Sequence, residues 1–158
     1  MLVLFIFPSV LIDEGNCHVA RKKSKAQFGK FPPKYKFILN PYQDVRFSSC
    51  LRCSGKTLIR KVPLFVHVYP EHPTTINKRC RYCPKCDLLI VHQDELETSL
   101  VLSHREDRPE IVGNEYLVLG TLSPSAWRKR NKEPLNMGNA QENVHDFKER
   151  FDIKPAYR

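Results

Sequence analysis

Five of the six cysteines in this 158-residue chain fall into two short clusters, and their spacing constrains the fold more than any other feature. Cys50 and Cys53 are separated by two residues, and Cys80, Cys83 and Cys86 repeat that spacing farther along the chain. A two-residue spacer in a tight turn brings two sulfur atoms within about 4 Å of each other, and two such pairs supply four thiolates to a tetrahedral Zn²⁺. The sequence therefore predicts a zinc centre.

The second cluster allows two solutions, because Cys83 can pair with Cys86 or with Cys80. We favour the pair Cys83 and Cys86, since the residues between them and the strand-like segment 88–91 after them match the pattern of a zinc ribbon. The predicted ligands are Cys50, Cys53, Cys83 and Cys86, with Cys80 as the alternative to Cys86. Four thiolates leave no coordination position for water, so the predicted site is structural and not catalytic.

Cysteine usage also indicates a compartment. Thiolates that hold a metal need a reducing environment, so the sequence predicts a cytoplasmic protein. A disulfide framework fits less well, because clusters of three and two leave an odd partner that only Cys17 can take up. Residues 1–12 are apolar but too short to cross a bilayer, and no membrane association is predicted. They lack the preceding positive charge and the following cleavage site of a secretory signal peptide. We interpret them as an apolar lead or as the result of a start site assigned too far upstream.

The net charge of +9 is unevenly distributed along the chain. Residues 18–62 contain one acid, Asp44, and twelve cations, whereas residues 93–124 contain two arginines and seven acids. Such asymmetry predicts one surface that faces a polyanion and one that does not. The cations predicted to contact nucleic acid are Arg21, Lys22, Lys23, Lys25, Lys30, Lys34, Lys36, Arg46, Arg52, Lys56, Arg60 and Lys61.

Hydrophobic periodicity predicts short strands around the cysteine pairs, followed by a helix. Alternating side chains make residues 57–69 strand-like, and Pro63 indicates an edge position or a bulge there. The acidic start at residues 94–95 favours a helix over 94–103, with Leu96 and Leu100 one turn apart on its core face. The other predicted strand segments are residues 35–39, 74–79 and 88–91.

The second half of the chain predicts fewer regular elements. Residues 110–122 read as a strand or a hairpin that turns at residues 113–114. Ser123 and Pro124 predict an N-cap and first turn of a short helix that ends near Trp127, which reads as a core anchor with base stacking as the minor alternative. Residues 131–139 are loop-like. Residues 140–151 predict a helix, with an apolar stripe of Val144, Phe147 and Phe151.

These elements predict a small α+β fold: a zinc ribbon, meaning an antiparallel hairpin plus a third strand, with two or three short helices. Four regions follow from this order. They are an apolar lead (1–20), a basic arm with a short strand (21–46), a zinc-ribbon core with the following helix and strand (47–127), and a basic, partly helical extension (128–158).

The cysteine spacing and element order over residues 49–102 resemble the zinc-binding module of bacterial antitoxins, although Asp87 stands where that module usually has glycine. The chain also carries an extra cysteine and lacks a recognisable helix-turn-helix, and the resemblance therefore does not extend to operator binding. The longer stretch 37–120 is similar to an uncharacterised bacterial zinc-binding family, and this similarity implies a zinc-ribbon domain without implying an activity.

No catalytic motif accompanies the cysteines. His67, His72 and His92 are candidates for a mixed, open zinc site, but none has the spacing of a known hydrolytic motif. The leading hypothesis is a non-enzymatic zinc protein that binds nucleic acid or a ribonucleoprotein through the basic arm. Four aromatic residues lie among its cations and would stack on bases: Phe28, Phe31, Tyr35 and Phe37. The alternative is a protein adaptor that uses the acidic helix 94–103, and the third candidate is a zinc-dependent hydrolase.

Overall fold

The computed structural model describes residues 17–21, 27–133 and 135–155, which form one mixed β-sheet with three α-helices and a short 3₁₀ helix, Pro109–Ile111. The strands are β1 (Cys17–Arg21), β2 (Lys36–Asn40), β3 (Leu58–Val68), β4 (His72–Cys83), β5 (Leu88–His92), β6 (Tyr116–Leu122), β7 (Val144–Asp146) and β8 (Glu149–Pro155). The helices are α1 (Gln93–His104), α2 (Pro124–Lys129) and α3 (Met137–Ala140). Over these residues, no helix combines the length and the apolarity needed to cross a membrane.

The eight described strands lie in the order β1-β8-β2-β5-β4-β3-β6-β7. Strand β2 is parallel to β5 and to β8, and the other neighbours are antiparallel. The sheet curls, because β7 pairs with β6 while β8, only two residues later, pairs with β2. Two backbone hydrogen bonds support the join: Lys34 N donates to Asp146 O at 2.8 Å, and Lys148 N donates to Tyr35 O at 2.7 Å.

The long hairpin of β3 and β4 forms the centre of the sheet, with paired residues from Leu58 opposite Tyr82 to Val68 opposite His72. Strand β6 joins β3 only from Leu64 onward, and the register shifts between residues 65 and 66. Pro63 therefore lies where β3 has β4 as its one described neighbour, next to an irregularity, as the sequence predicted. Since proline cannot donate a ladder hydrogen bond, this placement costs the sheet little.

Alternation along the central strands sorts their side chains between the two faces of the sheet, although β4 buries mainly one face and residues 58–61 of β3 are exposed. In β3, Leu64 and Val66 belong to the main core, while Phe65 packs on the opposite face. Helix α1 covers the main core with Leu96 and Leu100, both buried, which confirms the predicted core face of this helix. Placing a sheet between packed layers in this way buries far more apolar surface than a short hairpin could.

The small α+β class is therefore confirmed, and the predicted hairpin and third strand are present as β3, β4 and β5. They belong to a sheet that is larger than a zinc ribbon, and the ribbon assignment itself stays a prediction. The segment 110–122 contributes a 3₁₀ turn followed by β6, with Gly113 at a φ of 84° in the link between them. The predicted helix after Ser123 is confirmed, since the Ser123 hydroxyl accepts a hydrogen bond from Ala126 N.

Two predictions for the last third of the chain are wrong. The loop-like segment 131–139 contains the start of α3, which Asn136 caps in a reciprocal pair with Asn139. The predicted helix 140–151 is replaced largely by β7 and β8. Its supposed stripe does not lie on one face, because Val144, Phe147 and Phe151 pack into three different clusters. The residues predicted as an extension thus complete the sheet.

Candidate metal centre

Two turns bring the predicted cysteine pairs together on one face of the sheet. The first pair lies in the loop between β2 and β3, and the second occupies the turn that joins β4 to β5. Cys83 is the last residue of β4, opposite Leu88 of β5, so the hairpin register fixes its direction. Cys50 and Cys83 are buried in a cluster with β-strand side chains such as Ile90, which anchors both turns to the sheet.

The four sulfur atoms of Cys50, Cys53, Cys83 and Cys86 all lie within 4.8 Å of one another. The Sγ atoms of Cys50 and Cys86 are 4.0 Å apart, and those of Cys53 and Cys83 are 3.5 Å apart. A tetrahedral ion with Zn–S bonds near 2.3 Å needs sulfur separations of about 3.8 Å. The cluster therefore has the geometry and the donor set of a four-thiolate metal site.

The two turns share a backbone feature that presents their sulfurs. The residue directly after each pair adopts a left-handed conformation: Ser54 has a φ of 61° and Asp87 a φ of 55°. In the first turn Cys50 N donates to Gly55 O at 2.7 Å, and Ser54 N donates to Cys50 O at 2.9 Å. The left-handed residue reverses the chain after the second cysteine, which keeps both sulfurs of the pair on the inside of the turn.

Backbone amides also point at the first pair. Arg52 N donates to the Sγ of Cys50, and Gly55 N donates to the Sγ of Cys53, both at 3.4 Å. The Gly55 amide, together with the neighbouring Cys83, lowers the pKa of the Cys53 thiol to about 7. Donors that stabilise a thiolate in this way also orient it as a metal ligand.

The other thiols of the cluster show the opposite effect, because burial raises the pKa of Cys86 to about 12 and raises that of Cys50 as well. Four thiolates brought together without a cation would repel one another. A divalent ion reverses this balance, since coordination deprotonates each thiol. The chemistry of the cluster thus favours occupation by a cation.

Cys80, the alternative ligand, lies away from the cluster. Its Sγ donates to Lys78 O at 3.3 Å, it packs in the main core, and burial raises its pKa to about 12. Two-residue spacing from Cys83 does not help here, because residues 80–83 lie in extended β4 rather than in a turn. Cys17 lies in β1, and its side chain is outside the described atoms.

The histidines considered for an open zinc site are likewise engaged elsewhere. His92 is buried, and its Nδ1 accepts a hydrogen bond from Asn40 Nδ2 at 3.0 Å. His72 contacts Arg108 at 2.9 Å, and His67 lies on β3 with its ring against Tyr69. Among the described residues, the one group that could hold a metal ion consists of cysteines alone.

The fold and this cluster together define a class: a small α+β protein with a curled mixed sheet and four cysteines placed to hold one metal ion. Comparisons with protein-family models, with curated proteins and with solved structures found no match to the chain.

The predicted nucleic-acid contacts are dispersed over the structure. Lys22, Lys23 and Lys25 lie outside the described residues, and Arg21 is described only as the end of β1. Two others form ion pairs within the protein. They are Lys30, which pairs with Glu142, and Arg46, which contacts Asp94 at 3.2 Å and Glu95 at 3.5 Å.

Two further cations lie over aromatic rings, Arg52 over Phe151 at 4.6 Å and Arg60 over Tyr82 at 4.0 Å. Such contacts leave the guanidinium edges able to bind phosphate. The predicted cations for which the described residues offer neither an ion pair nor an aromatic ring are Lys34, Lys36, Lys56 and Lys61. All four aromatic residues predicted to stack on bases contact rings within the protein. Phe28 stacks on Phe65 and Phe37 on Phe147, Phe31 is tilted against His145, and Tyr35 meets Tyr82 edge-on.

A groove of about 560 Å³ gathers two of the predicted cations, Arg46 and Lys61, with three that the sequence argument missed. We call it the basic groove; its charged lining residues are Arg46, Lys61, Lys78, Arg79, Arg81 and Glu95. Arg79 and Arg81 face Lys61 and Ile59 across the β3–β4 ladder, so the hairpin register places them on one face. The signal was present as alternating cations in residues 79–81, but the cysteines beside them drew the interpretation toward metal binding.

Proposed function

We propose that this chain is a non-enzymatic protein whose four-cysteine cluster holds one structural Zn²⁺ and whose basic groove binds nucleic acid. The zinc half of the proposal depends on one observation, the convergence of four sulfur atoms within 4.8 Å. Four thiolates complete a tetrahedral shell, so a zinc ion here would stabilise the turns without activating water. Because such a site needs reduced thiols, the proposal includes a reducing compartment such as the cytoplasm.

The nucleic-acid half depends on the charge of the groove. Five cations line it against one acid, Glu95, which already pairs with Arg46 and with Lys78 at 3.3 Å. No ion pair among the described residues involves Lys61, Arg79 or Arg81. Unpaired cations held on a rigid ladder are suited to phosphate contacts, because binding releases counterions without first breaking internal ion pairs.

Metal content tests the zinc half. Protein purified under reducing conditions should contain one Zn²⁺ per chain by elemental analysis, and Cys86→Ser should lose most of it. Cys80→Ser is the matched control, because Cys80 is only three positions before Cys83 in the sequence but packs in the main core. Equal zinc loss in the two variants, or a native protein without stoichiometric zinc, would contradict the proposal.

Salt-dependent binding tests the nucleic-acid half. Affinity for a labelled oligonucleotide, measured by fluorescence anisotropy, should fall steeply as salt rises from about 50 to 200 mM. The double variant Lys61→Glu/Arg79→Glu should weaken binding at least about tenfold and flatten the salt dependence. The charge-matched control is the double variant Arg105→Glu/Lys132→Glu, which changes two exposed cations outside the groove and should bind normally. An affinity that does not change with salt, or an equal loss of affinity in the test and control variants, would exclude the basic groove as the binding site.

One observation favours the adaptor as a second candidate. A cleft of about 200 Å³ lies between α1 and the link to β6, and Val101, Leu102 and Val112 are exposed in this region. Because Asp94 and Glu95 are already paired, we propose the second half of α1, and not its acidic start, as the partner surface of this candidate. A partner that survives nuclease treatment and is lost with Leu102→Asp would support this function.

A further inference from the structure

A second groove continues from the basic groove along the β3–β4 hairpin. It has a volume of about 310 Å³ and shares Lys61 and Asn77 with the basic groove, so the two form one continuous surface. We call it the aromatic groove, because Tyr35 and Trp127 lie in its lining. It exists because β6 pairs with β3 only from Leu64 onward, which leaves a gap beside residues 61–63 of β3.

The charge of the aromatic groove is uniform. Its lining contains the cations Lys34, Lys61 and Arg128, and none of the described residues that line it is acidic. Lys34 and Arg128 are exposed, and no ion pair within the described part of the chain engages either of them. A phosphate chain leaving the basic groove past Lys61 would therefore meet further cations along this path.

An unsatisfied polar group lies in the same groove. Thr121 is 2% exposed, lines the groove, and its hydroxyl has no hydrogen-bond partner in the structure. Leaving a buried hydroxyl unpaired costs free energy, so native proteins rarely keep one without a reason. A ligand group that enters the groove could supply the missing partner.

The aromatic side chains set the kind of nucleic acid that fits. Trp127 is half-buried, and the guanidinium of Arg130, a flat and delocalised group, lies over its ring at 3.7 Å, so a base that stacks on this face takes the place of the guanidinium. Nucleobases are flat groups of the same type, but in a duplex their faces are hidden by stacking. Only a strand with unstacked bases can bring a base face into the cleft.

We propose that the aromatic groove binds single-stranded nucleic acid, with a base stacked at Trp127, the phosphates along Lys34, Lys61 and Arg128, and a base or sugar group bonded to the Thr121 hydroxyl. The inference rests on the proposed function, because it specifies the class of nucleic acid that this protein binds. DNA and RNA share the chemistry that the groove recognises, and the experiment distinguishes them.

The experiment uses the zinc-loaded full chain at about 50 mM salt. Its probes are oligodeoxyuridylate and oligouridylate of about 12 nucleotides, which differ only in the sugar and have a length within the range that small single-strand sites cover, and a duplex of the same length. Trp127 is the one tryptophan of the chain, so its emission reports on this groove alone. Single strands should quench that emission and bind at least about tenfold more tightly than the duplex; whichever of the two strands binds better identifies the sugar preference.

Variants separate binding from folding. Arg128→Glu should weaken single-strand binding about tenfold, whereas Lys129→Glu, the next residue on α2 and outside the groove lining, should leave it unchanged. Thr121→Val should weaken single-strand binding about threefold without lowering the melting temperature, because the hydroxyl has no partner to lose in the free protein. If Thr121 had only a structural role, Thr121→Val would lower the melting temperature and leave single-strand binding unchanged.

The experiment distinguishes failure of the single-strand inference from failure of the basic-groove proposal. Equal affinity for single strand and duplex, unchanged Trp127 emission, or equal losses in the Arg128 and Lys129 variants would overturn the single-strand inference while the basic-groove proposal stands. If no probe binds at about 50 mM salt, both proposals fall.

Discussion

A buried pair, Asn40 and His92, fixes the loop that leads into the first cysteine pair. Asn40 Nδ2 donates to Val45 O at 2.6 Å and to His92 Nδ1 at 3.0 Å, while its Oδ1 accepts from Tyr42 N at 2.9 Å. This arrangement requires an unprotonated Nδ1 on His92. Burial lowers the pKa of His92 below its ordinary value of 6.5, with nearby Arg46 and Arg81 acting in the same direction and Glu95 and Asp94 against it.

Stability should therefore fall as the solution is acidified. Below pH 6.5, His92 is protonated in the unfolded chain but stays largely neutral in the folded protein, because its folded pKa is lower. The free energy of unfolding therefore decreases as the pH falls from about 7.5 toward the folded pKa. His92→Gln keeps an acceptor for Asn40 but cannot titrate, and it should lose less stability than the native chain between pH 7.5 and 5.5. The difference should be on the order of 1 kcal/mol, measured by urea denaturation.

The partner residue offers a counter-test at the same site. Asn40→Asp places a carboxylate beside the ring and should raise the pKa of His92, because an opposite charge favours the imidazolium. The stability of this variant should fall less with acidification, or rise. Parallel pH profiles for the native chain and for both variants would mean that His92 does not set the pH dependence.

Single residues also show where sequence reasoning succeeds and where it stops. The glycine expected after the second cysteine pair marks a left-handed position, and the structure has a left-handed residue there although it is Asp87. The side chain compensates: its two carboxylate oxygens accept from Tyr82 Oη and Lys148 Nζ, both at 2.7 Å. That this position favours glycine could be predicted from the resemblance to the antitoxin module. The compensation could not, because Lys148 is 61 residues away in the sequence.

At the scale of elements, helix α1 allows a matched comparison of two leucines. Leu96 is 0% exposed in the main core, and Leu102, less than two turns later, is 57% exposed. Leu96→Ala should lower the free energy of unfolding by about 2–5 kcal/mol, because it leaves a cavity in packed core, whereas Leu102→Ala should change it by about 0.5 kcal/mol or less. Urea denaturation measures both; similar losses would mean that α1 does not dock as described.

Elements were predictable where the apolar pattern had one interpretation. Strands β2, β3 and β5 each lie within about a residue of the predicted segment, and the Ser123 cap located α2 correctly. The helix predicted for residues 140–151 was wrong, because apolar residues three and four positions apart also occur where an extended chain bends and its side chains pack into separate clusters. Periodicity cannot distinguish these cases, since the bend depends on pairing with β6 and β2, both distant in the sequence.

At the scale of the whole molecule, the cysteine cluster and the main core pack as two separate groups of side chains. The cysteines belong to a cluster with Ile38, Leu88 and Phe151, whereas the residues that β3 and α1 contribute to the core lie on the other face of the sheet. The sequence could predict the cysteine pairs from local spacing and their convergence from the zinc-ribbon pattern, with Cys80 left as the alternative to Cys86. It could not predict a large sheet around them, because that sheet depends on β8 returning to β2 from the far end of the chain.

This separation predicts how the protein responds to metal removal. A small zinc domain without its own core unfolds completely when chelated. Here, chelation under reducing conditions should release the first turn, so that the amides of Cys50, Ser54 and Thr57, which bond within that loop, exchange with solvent faster. Amides in the paired part of β3 and β6 should remain protected, because their side chains pack in the main core. Hydrogen exchange followed by mass spectrometry measures both regions in one experiment.

Two outcomes would contradict this division. Uniform loss of protection would mean that the sheet cannot persist without the metal, as in a zinc ribbon, and would restore the smaller architecture that the sequence suggested. Unchanged exchange in residues 48–57 would mean that the cysteine turns need no ion to hold their shape. The Cys80→Ser chain serves as control, since its cysteine cluster is intact and its response to chelation should match that of the native protein. Loss confined to the first turn would place the zinc where it holds the loop against the sheet, beside the face that carries Arg79 and Arg81.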